Sequence, residues 1–265
     1  MTALSTALAK AKADGRAALI GYLPVGFPTV DVSIDAMRAM VEGGADIVEV
    51  GVPYSDPVMD GPVIQAAADP AVRAGVGIAD ALRAVTAVSQ AGAAAVVMTY
   101  WNPIERYGVD RFAADLAAAG GSGAITPDLI PDEAAPWLAA TDAHGLDRIF
   151  LVAPSSTDAR IGSTVAACRG FVYAASTMGV TGTRDQVGQG AQRLVARVRA
   201  AVADFPVCVG LGVSNGDQAA EVASFADGVI VGSAFVRRLL DAPDAVGVAA
   251  VRELAGELAD GVRRR

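Results

Sequence analysis

Eight short apolar runs recur along this 265-residue chain, and a segment with helical periodicity follows each of them. The predicted strands are residues 18–22, 46–51, 94–100, 123–126, 148–152, 171–175, 207–212 and 228–232. The predicted helices are residues 30–42, 78–90, 109–118, 132–140, 158–168, 189–203, 216–224 and 243–258. Regular alternation of strand and helix predicts a parallel sheet with right-handed crossovers. Eight such units in about 250 residues are typical of a closed (β/α)8 barrel, the TIM barrel.

The whole chain, residues 1–265, is predicted to form a single α/β domain with an extra helix before the first strand. Leu4 and Leu8 have the spacing of a short amphipathic helix, and no long linker or charged block interrupts the alternation. The alternative fold is an open doubly wound sheet, but no G-x-G-x-x-G motif follows the first strand. The closed barrel is therefore the favoured fold.

Charge and composition restrict the partners and the compartment. The formal net charge of −8 argues against nucleic acid, because affinity for phosphate backbones comes largely from basic side chains. No apolar run approaches the roughly 18 residues of a membrane span, and the N-terminal segment lacks the pattern of a secretory signal. Cys168 and Cys208 form no C-x-x-C pattern, so we expect reduced thiols and a cytoplasmic protein.

Two carboxylates stand out around the second predicted strand. Glu49 lies inside the apolar run 46–51, and Asp60 lies in the turn-rich loop PYSDPVMDGP that follows. A buried carboxylate is costly unless it is paired or protonated, so two acids in different environments can hold different pKa values and different roles. The alternative is structural, with Glu49 in an ion pair and Asp60 as a turn former before Gly61. This stretch alone leaves both interpretations open.

The remaining composition excludes several kinds of catalysis. The only lysines are Lys10 and Lys12 in the N-terminal helix, so no lysine lies inside the barrel to form a Schiff base or hold pyridoxal phosphate. The only histidine, His144, precedes the fifth strand and falls on the opposite face, so a zinc site lacks ligands. We therefore expect no metal and general acid–base chemistry by carboxylates and tyrosines at the C-terminal ends of the strands.

Glycine-rich segments follow the last two predicted strands. VGLGVSN at 209–215 and VGSA at 231–234 each lead into a helix. Glycines at such positions let backbone N–H groups approach an anion, and helix N-termini favour negative charge. Phosphate binding at these loops is therefore predicted, because many barrels hold phosphate there. The alternative is that Gly210 and Gly212 only relieve crowding at the barrel rim.

The segment after the sixth strand, STMGVTGTRDQVGQG at 176–190, contains four glycines and no apolar stripe. It is predicted to be a mobile active-site lid over residues 177–190 rather than a helix or strand. Thr181 and Gly182 would then close over a phosphate-bearing substrate. The alternative is a surface loop without function.

Taken together, these segments resemble the tryptophan synthase α chain family almost end to end. The matching motifs are GYLPVGFPT at 21–29, DIVEVGVPYSDPVMDGP at 46–62, GVTGTR at 179–184 and the paired GLG and GSA loops. The resemblance implies a carbon–carbon lyase of tryptophan biosynthesis that cleaves indole-3-glycerol phosphate to indole and glyceraldehyde 3-phosphate, a retro-aldol step. Glu49 would be the general acid–base, and Asp60 would accept a hydrogen bond from the indole N–H.

The resemblance also implies roles for further residues. The substrate-binding residues would be Tyr22, Met98, Tyr100, Ile125, Leu151, Tyr173, Thr181 and Leu211. The phosphate-binding residues would be Gly182, Gly212, Gly232 and Ser233. The residues facing a partner, on exposed loops, would be Pro53, Asp56, Pro57 and Asn102. For Met98, Ile125 and Leu151 the alternative is barrel filling. Two departures from the family pattern are Tyr22, where many members carry phenylalanine, and Thr177-Met178, where some carry an arginine.

The family pairs the α chain with a β chain that carries pyridoxal phosphate, in an α2β2 heterotetramer. By resemblance, this chain would hold no cofactor itself and would pass indole to the β chain. We expect partner-dependent activity, because prolines tie the Asp60 loop to the strand that holds Glu49. Two rival functions are another phosphate-sugar barrel isomerase and a non-catalytic regulator that binds an indolic ligand.

Overall fold

The computed structural model describes residues 1–175 and 184–264, and the backbone alone for residues 184–187. Its strands are β1 (Ala18–Pro24), β2 (Ile47–Gly51), β3 (Ala94–Met98), β4 (Gly123–Ile125), β5 (Asp147–Ile149), β6 (Leu151–Val152), β7 (Val172–Ala175), β8 (Val207–Gly210) and β9 (Gly228–Val231). Its α-helices are α1 (Ala3–Ala13), α2 (Val30–Gly43), α3 (Pro62–Arg73), α4 (Ile78–Gln90), α5 (Trp101–Tyr107), α6 (Val109–Ala118), α7 (Ala135–His144), α8 (Asp158–Ala167), α9 (Arg184–Ala201), α10 (Gly216–Ala223), α11 (Ser233–Asp241) and α12 (Ala245–Val262). A 3-10 turn covers Pro131–Glu133.

The strands form one parallel sheet in the order β5-β4-β3-β2-β1-β9-β8-β7-β6. Only Phe150 separates β5 from β6, so the two segments at the ends of this order are consecutive parts of one chain segment. β5 pairs with β4 and β6 pairs with β7, while the Phe150 carbonyl accepts a hydrogen bond from Tyr173 N at 3.1 Å. The sheet therefore closes, and the predicted (β/α)8 barrel is confirmed with its fifth strand divided in two.

Alternating side chains divide the apolar interior into two layers. On β2, Val48 and Val50 pack outward against the helices, whereas Ile47 joins the cluster inside the barrel. The inner cluster also contains Leu4, Leu8 and Ala11 of α1, so this helix closes the N-terminal end of the barrel. The extra N-terminal helix is thereby confirmed. The same alternation turns Glu49 inward, towards the barrel axis.

Most predicted elements agree with the structure within a few residues, but two helices, α3 and α5, were not predicted, and they lie in the connections directly after β2 and β3. Helix α11 begins directly after Gly232, as predicted for the segment 231–234. Pro62 and Pro70 made the α3 sequence resemble a loop, although Pro62 occupies the first turn and the helix continues past Pro70. The expectation of a loop is also wrong for residues 184–190, because they begin α9.

Candidate active site

Glu49 lies on β2 with its side chain fully buried inside the barrel, as predicted from the sequence. Among the described residues, neither carboxylate oxygen of Glu49 has a hydrogen-bond partner. Burial without a donor or a cation disfavours the charged form and raises the pKa of Glu49 to about 8. Glu49 therefore holds a proton at neutral pH, and the ion-pair interpretation of this residue is wrong.

Asp60 lies at the end of the loop after β2, where Tyr100 approaches it. The Tyr100 hydroxyl donates to Asp60 Oδ1 at 3.3 Å and accepts a hydrogen bond from the Met59 backbone N–H at 3.0 Å. Gln65 Nε2 also donates to the Asp60 carbonyl at 2.7 Å. Burial raises the pKa of Asp60, and the hydrogen bond from Tyr100 lowers it. Burial likewise raises the pKa of Tyr100 to about 12, so its hydroxyl remains a donor.

Both acids line one cavity of about 680 Å³ at the C-terminal ends of the strands. This volume lies in the range of small-molecule sites. The cavity brings together nine residues predicted from the sequence: Tyr22, Glu49, Asp60, Met98, Tyr173, Leu211, Gly212, Gly232 and Ser233. It also contains residues that were not predicted: Val58, Met59, Gly61, Ile64, Gly210 and Ile230. Ile230 could have been found, because it precedes Gly232 by two positions on the inward face of β9.

Two tyrosines line this cavity, and each lies over a glycine. A methyl group on Gly51 would be 2.5 Å from the Tyr22 hydroxyl oxygen, and one on Gly210 would be 2.5 Å from the Tyr173 hydroxyl oxygen. Glycine at these strand ends therefore makes room for the tyrosine side chains. Tyr22 is also the register partner of Glu49 across β1 and β2. Burial raises the pKa of both tyrosines well above the usual range, and nearby acids add to this effect: Asp60 and Glu49 for Tyr22, and Glu49 for Tyr173.

The glycine loops after β8 and β9 contribute the end of the cavity nearest α10 and α11. Gly212 has φ of +66°, in the region that favours glycine, and lies before α10. Gly232 directly precedes α11 and makes no side-chain cap, so the first N–H groups of α11 have no capping side chain. Such N–H groups at a helix N-terminus are suited to an anion. Thr181 and Gly182 lie outside the described residues.

Not every residue implied by the resemblance lines the cavity. Ile125 is fully buried in the inner cluster and Leu151 packs against that cluster, which favours barrel filling for both. His144 is the exposed last residue of α7, so its assignment away from the site is confirmed.

The loop expected to face a partner is exposed only in part. Asp56 and Asn102 are exposed, and Asn102 Nδ2 donates to the Tyr54 hydroxyl at 3.2 Å. Pro57 is half-buried. The expectation of exposure is wrong for Pro53, which is buried because sheet-like bonding continues past β2, with Val52 N donating to the Met98 carbonyl at 2.9 Å.

Two further findings concern metals and membranes. Across residues 1–175 and 184–264, no group of three or more His, Cys, Asp or Glu side chains is placed to hold a metal ion. In the same part of the chain, every helix is too short or too polar to cross a membrane.

A closed (β/α)8 barrel with a protonated buried acid, a second acid at the mouth and glycine loops after β8 and β9 defines an acid–base barrel enzyme. The model of the tryptophan synthase alpha chain family matches residues 8–263, and the chain belongs to this family. As a member, it is a lyase of tryptophan biosynthesis that carries out the α reaction of tryptophan synthase.

Individual relatives agree with this assignment. The chain is 67% identical to the tryptophan synthase alpha chain of Thermobifida fusca over 99% of this chain and 98% of that one. It is 64% identical to that of Acidothermus cellulolyticus, over 100% and 98% respectively. Among solved structures, it is similar to tryptophan synthase from M. tuberculosis, with a TM-score of 0.91, 59% identity and 99% coverage of both chains. It is also similar to the alpha subunit from Legionella pneumophila, with a TM-score of 0.89, 30% identity and coverage of 99% and 98%.

Proposed function

We propose that Glu49 and Asp60 together cleave indole-3-glycerol phosphate to indole and glyceraldehyde 3-phosphate in the cavity described above. The observation that carries this proposal is the state of Glu49, a fully buried acid with a pKa of about 8. It opens into the same cavity as Asp60. A carboxyl group held neutral at pH 7 is suited to give and then recover a proton.

The proposed reaction has two proton transfers, both through Glu49. Glu49 first donates its proton to C3 of the indole ring, while Asp60 accepts a hydrogen bond from the indole N–H and stabilises the ring cation. The Glu49 carboxylate then takes the proton from the glycerol hydroxyl on the carbon next to C3. The bond between C3 and that carbon breaks, its electrons return to the ring, and an aldehyde forms. Glu49 ends protonated, as it began.

The cavity supports this orientation of the substrate. Apolar groups from Ile64, Met98 and Ile230 lie near the acids and suit an indole ring, whose N–H would point to Asp60. The phosphate would lie at Gly212, Gly232 and Ser233, with their backbone N–H groups as donors. The proposal also assigns Gly182 to the phosphate, Thr181 to a closing lid over 177–190, and Tyr22 and Tyr173 to substrate orientation.

The β chain of tryptophan synthase is the partner in this proposal. Exposed groups on the loop between β2 and α3, such as Asp56, and Asn102 on α5 would contact it. That loop also carries Asp60, so a partner that binds the loop fixes the distance between Asp60 and Glu49. A misplacement of about 1 Å can cost about 100-fold in rate. Pyridoxal phosphate would be held by the β chain alone, and the assembly would be cytoplasmic.

The test is indole release from indole-3-glycerol phosphate by wild type, Glu49→Gln and Asp60→Asn, each with and without the β chain. We expect Glu49→Gln to lower kcat by about 10² to 10⁴, because general acid–base catalysis is worth that much. The matched control is Glu253→Gln, an exposed glutamate on α12, which should keep wild-type rates.

Each outcome separates this proposal from its rivals. If Glu49→Gln keeps an activity close to that of the wild type and of Glu253→Gln, the buried acid is structural and the mechanism is wrong. Substrate binding without indole release by the wild type would favour a regulator of the partner chain. Equal turnover with and without the β chain would contradict the role given to the Asp60 loop.

A further inference from the structure

A second, smaller cleft of about 200 Å³ adjoins the glycine loops of the active site. It shares Gly212 and Ser233 with the main cavity, and it is otherwise lined by Val213, Ser214 and Ala234 and by two arginines of α11, Arg237 and Arg238. The arginines thus lie beside the backbone N–H groups that the proposed function assigns to the phosphate. The family resemblance assigned no role to either arginine.

Neither guanidinium is engaged elsewhere in the part of the chain that the structure describes. Both arginines are exposed, and no ion pair or side-chain hydrogen bond joins them to another described residue. Asp241 has the i,i+4 spacing from Arg237 that suits a helical ion pair, yet the two form none. By contrast, Arg16, Arg148 and Arg197 each form an ion pair. The charges of Arg237 and Arg238 are therefore available to a ligand.

The geometry of α11 directs these side chains towards the phosphate end. Side chains on a helix tilt towards its N-terminus, and residues four apart share one face. Arg237 lies four residues after Ser233, and Arg238 lies four after Ala234. Both therefore reach back over the first turn of α11, where the N–H groups without a capping side chain begin.

The positive charges of Arg237 and Arg238 would attract a phosphate over a longer range than backbone N–H groups can. The chain carries a formal net charge of −8, and its main cavity contains Asp60, yet the substrate is a phosphate dianion. Backbone N–H groups hold a phosphate at contact distance but provide little attraction at longer range. Unpaired guanidinium groups beside them provide that attraction and add charge-assisted hydrogen bonds at the end of the approach.

We propose that Arg237 and Arg238 are substrate-positioning residues that attract the phosphate of indole-3-glycerol phosphate into the cradle formed by Gly212 and Ser233 and hold it there. They take no part in the proton transfers. This inference rests on the proposed function and adds to it a cationic phosphate-recognition element at the helix that follows β9.

The experiment compares wild type with Arg237→Gln, Arg238→Gln, the double variant and Arg237→Lys, all with the β chain present. The matched control is Lys10→Gln, which removes one positive charge at the opposite end of the barrel. Steady-state rates of indole release are measured between about 0.01 M and 0.15 M ionic strength, where the Debye length falls from about 30 Å to about 8 Å. Inhibition by glycerol 3-phosphate gives the affinity for a phosphate dianion without the indole ring.

We expect Arg237→Gln to raise both KM and the inhibition constant of glycerol 3-phosphate by about three- to tenfold, with kcat within twofold of wild type. The double variant should show the larger effect and a weaker dependence of kcat/KM on salt. Arg237→Lys should restore most of the affinity, since it keeps the charge. Melting temperatures should not change, because both side chains are exposed.

Three results would overturn the inference. One is a double variant that behaves like Lys10→Gln at every ionic strength. Another is a loss of kcat with KM unchanged. The third is an unchanged affinity for glycerol 3-phosphate despite a raised KM, since the arginines would then act on something other than phosphate. A wild type that releases no indole is a different failure, because it contradicts the proposed function itself.

Discussion

The acids at the two ends of the barrel differ in whether they have hydrogen-bond partners. At the N-terminal end, Asp147 is 4% exposed and accepts a hydrogen bond from Thr2 Oγ1 at 2.5 Å. At the same end, Arg16 makes two hydrogen bonds to the half-buried Asp46, at 2.7 and 2.8 Å. At the C-terminal end, Glu49 is 0% exposed and has no hydrogen-bond partner among the described residues. The N-terminal end gives its acids hydrogen-bond donors, and the C-terminal end keeps an acid in a state that costs stability.

This contrast separates stability from chemistry within one fold. Helix α1 covers the N-terminal end with Leu4 and Leu8, and its N-cap residue Thr2 donates the hydrogen bond to Asp147. The C-terminal end stays open because substrate must enter it. An unsatisfied acid is tolerated at that end because its raised pKa is what the reaction uses.

The largest effect that tests this contrast is a decrease in the free energy of unfolding, caused by Glu49, that grows with pH. Its pKa is about 8 in the folded protein, against 4.5 for an ordinary glutamate, so the folded state binds more protons between these values. Stability conferred by Glu49 is therefore unchanged below about pH 4.5, falls as pH rises to about 8, and is constant above that. The accumulated cost is of the order of 5 kcal/mol, since each pKa unit is worth about 1.4 kcal/mol.

Urea denaturation of wild type and Glu49→Gln at pH 5, 6.5 and 8 measures this cost, because glutamine does not titrate. The stability of Glu49→Gln relative to wild type should increase with pH, while Glu253→Gln should track the wild type throughout. A constant difference between wild type and Glu49→Gln would mean that Glu49 is ionised or paired in the folded protein. In activity, kcat/KM of the wild type should fall above about pH 8, where Glu49 loses the proton it donates.

The next largest effect should come from the closed end. Leu4→Ala removes a fully buried side chain from the inner cluster, which costs about 2 to 5 kcal/mol of unfolding free energy. We expect a lower melting temperature but an unchanged kcat at temperatures where the variant stays folded. Lys10→Ala, an exposed change on the same helix, should alter neither quantity. A fall in kcat for Leu4→Ala would show that the two ends are coupled.

The sequence predicted the barrel well because its strands are short apolar runs and its helices have regular periodicity. It also predicted the burial of Glu49, since alternation on β2 turns that residue inward with Ile47. It did not predict α3, because Pro62 and Pro70 imitate a loop, and it wrongly predicted that Pro53 is exposed. The cleft at Arg237 was missed because the sequence alone does not show that residues 212–214 and the first turns of α11 line one cleft.

The smallest effect expected here concerns the link between Tyr100 and Asp60. Tyr100→Phe removes the donor to Asp60 Oδ1 and the acceptor for Met59 N–H. A net hydrogen bond is worth about 0.5 to 1.5 kcal/mol, so kcat/KM should fall about three- to tenfold. Tyr54→Phe is the matched control, because its ring packs against Tyr100 at 5.1 Å but its hydroxyl contacts Asn102 instead.

The pH profile decides what that fall means. The hydrogen bond from Tyr100 lowers the pKa of Asp60, so its loss must raise that pKa and move the acidic limb of kcat/KM to higher pH. Asp60 must be charged to stabilise the ring cation, and fewer molecules will hold it charged at a given acidic pH. A fall in rate without a shift of the acidic limb would mean that Tyr100 only fixes the loop through Met59. Tyr54→Phe, measured without the β chain, should leave both the rate and the limb unchanged.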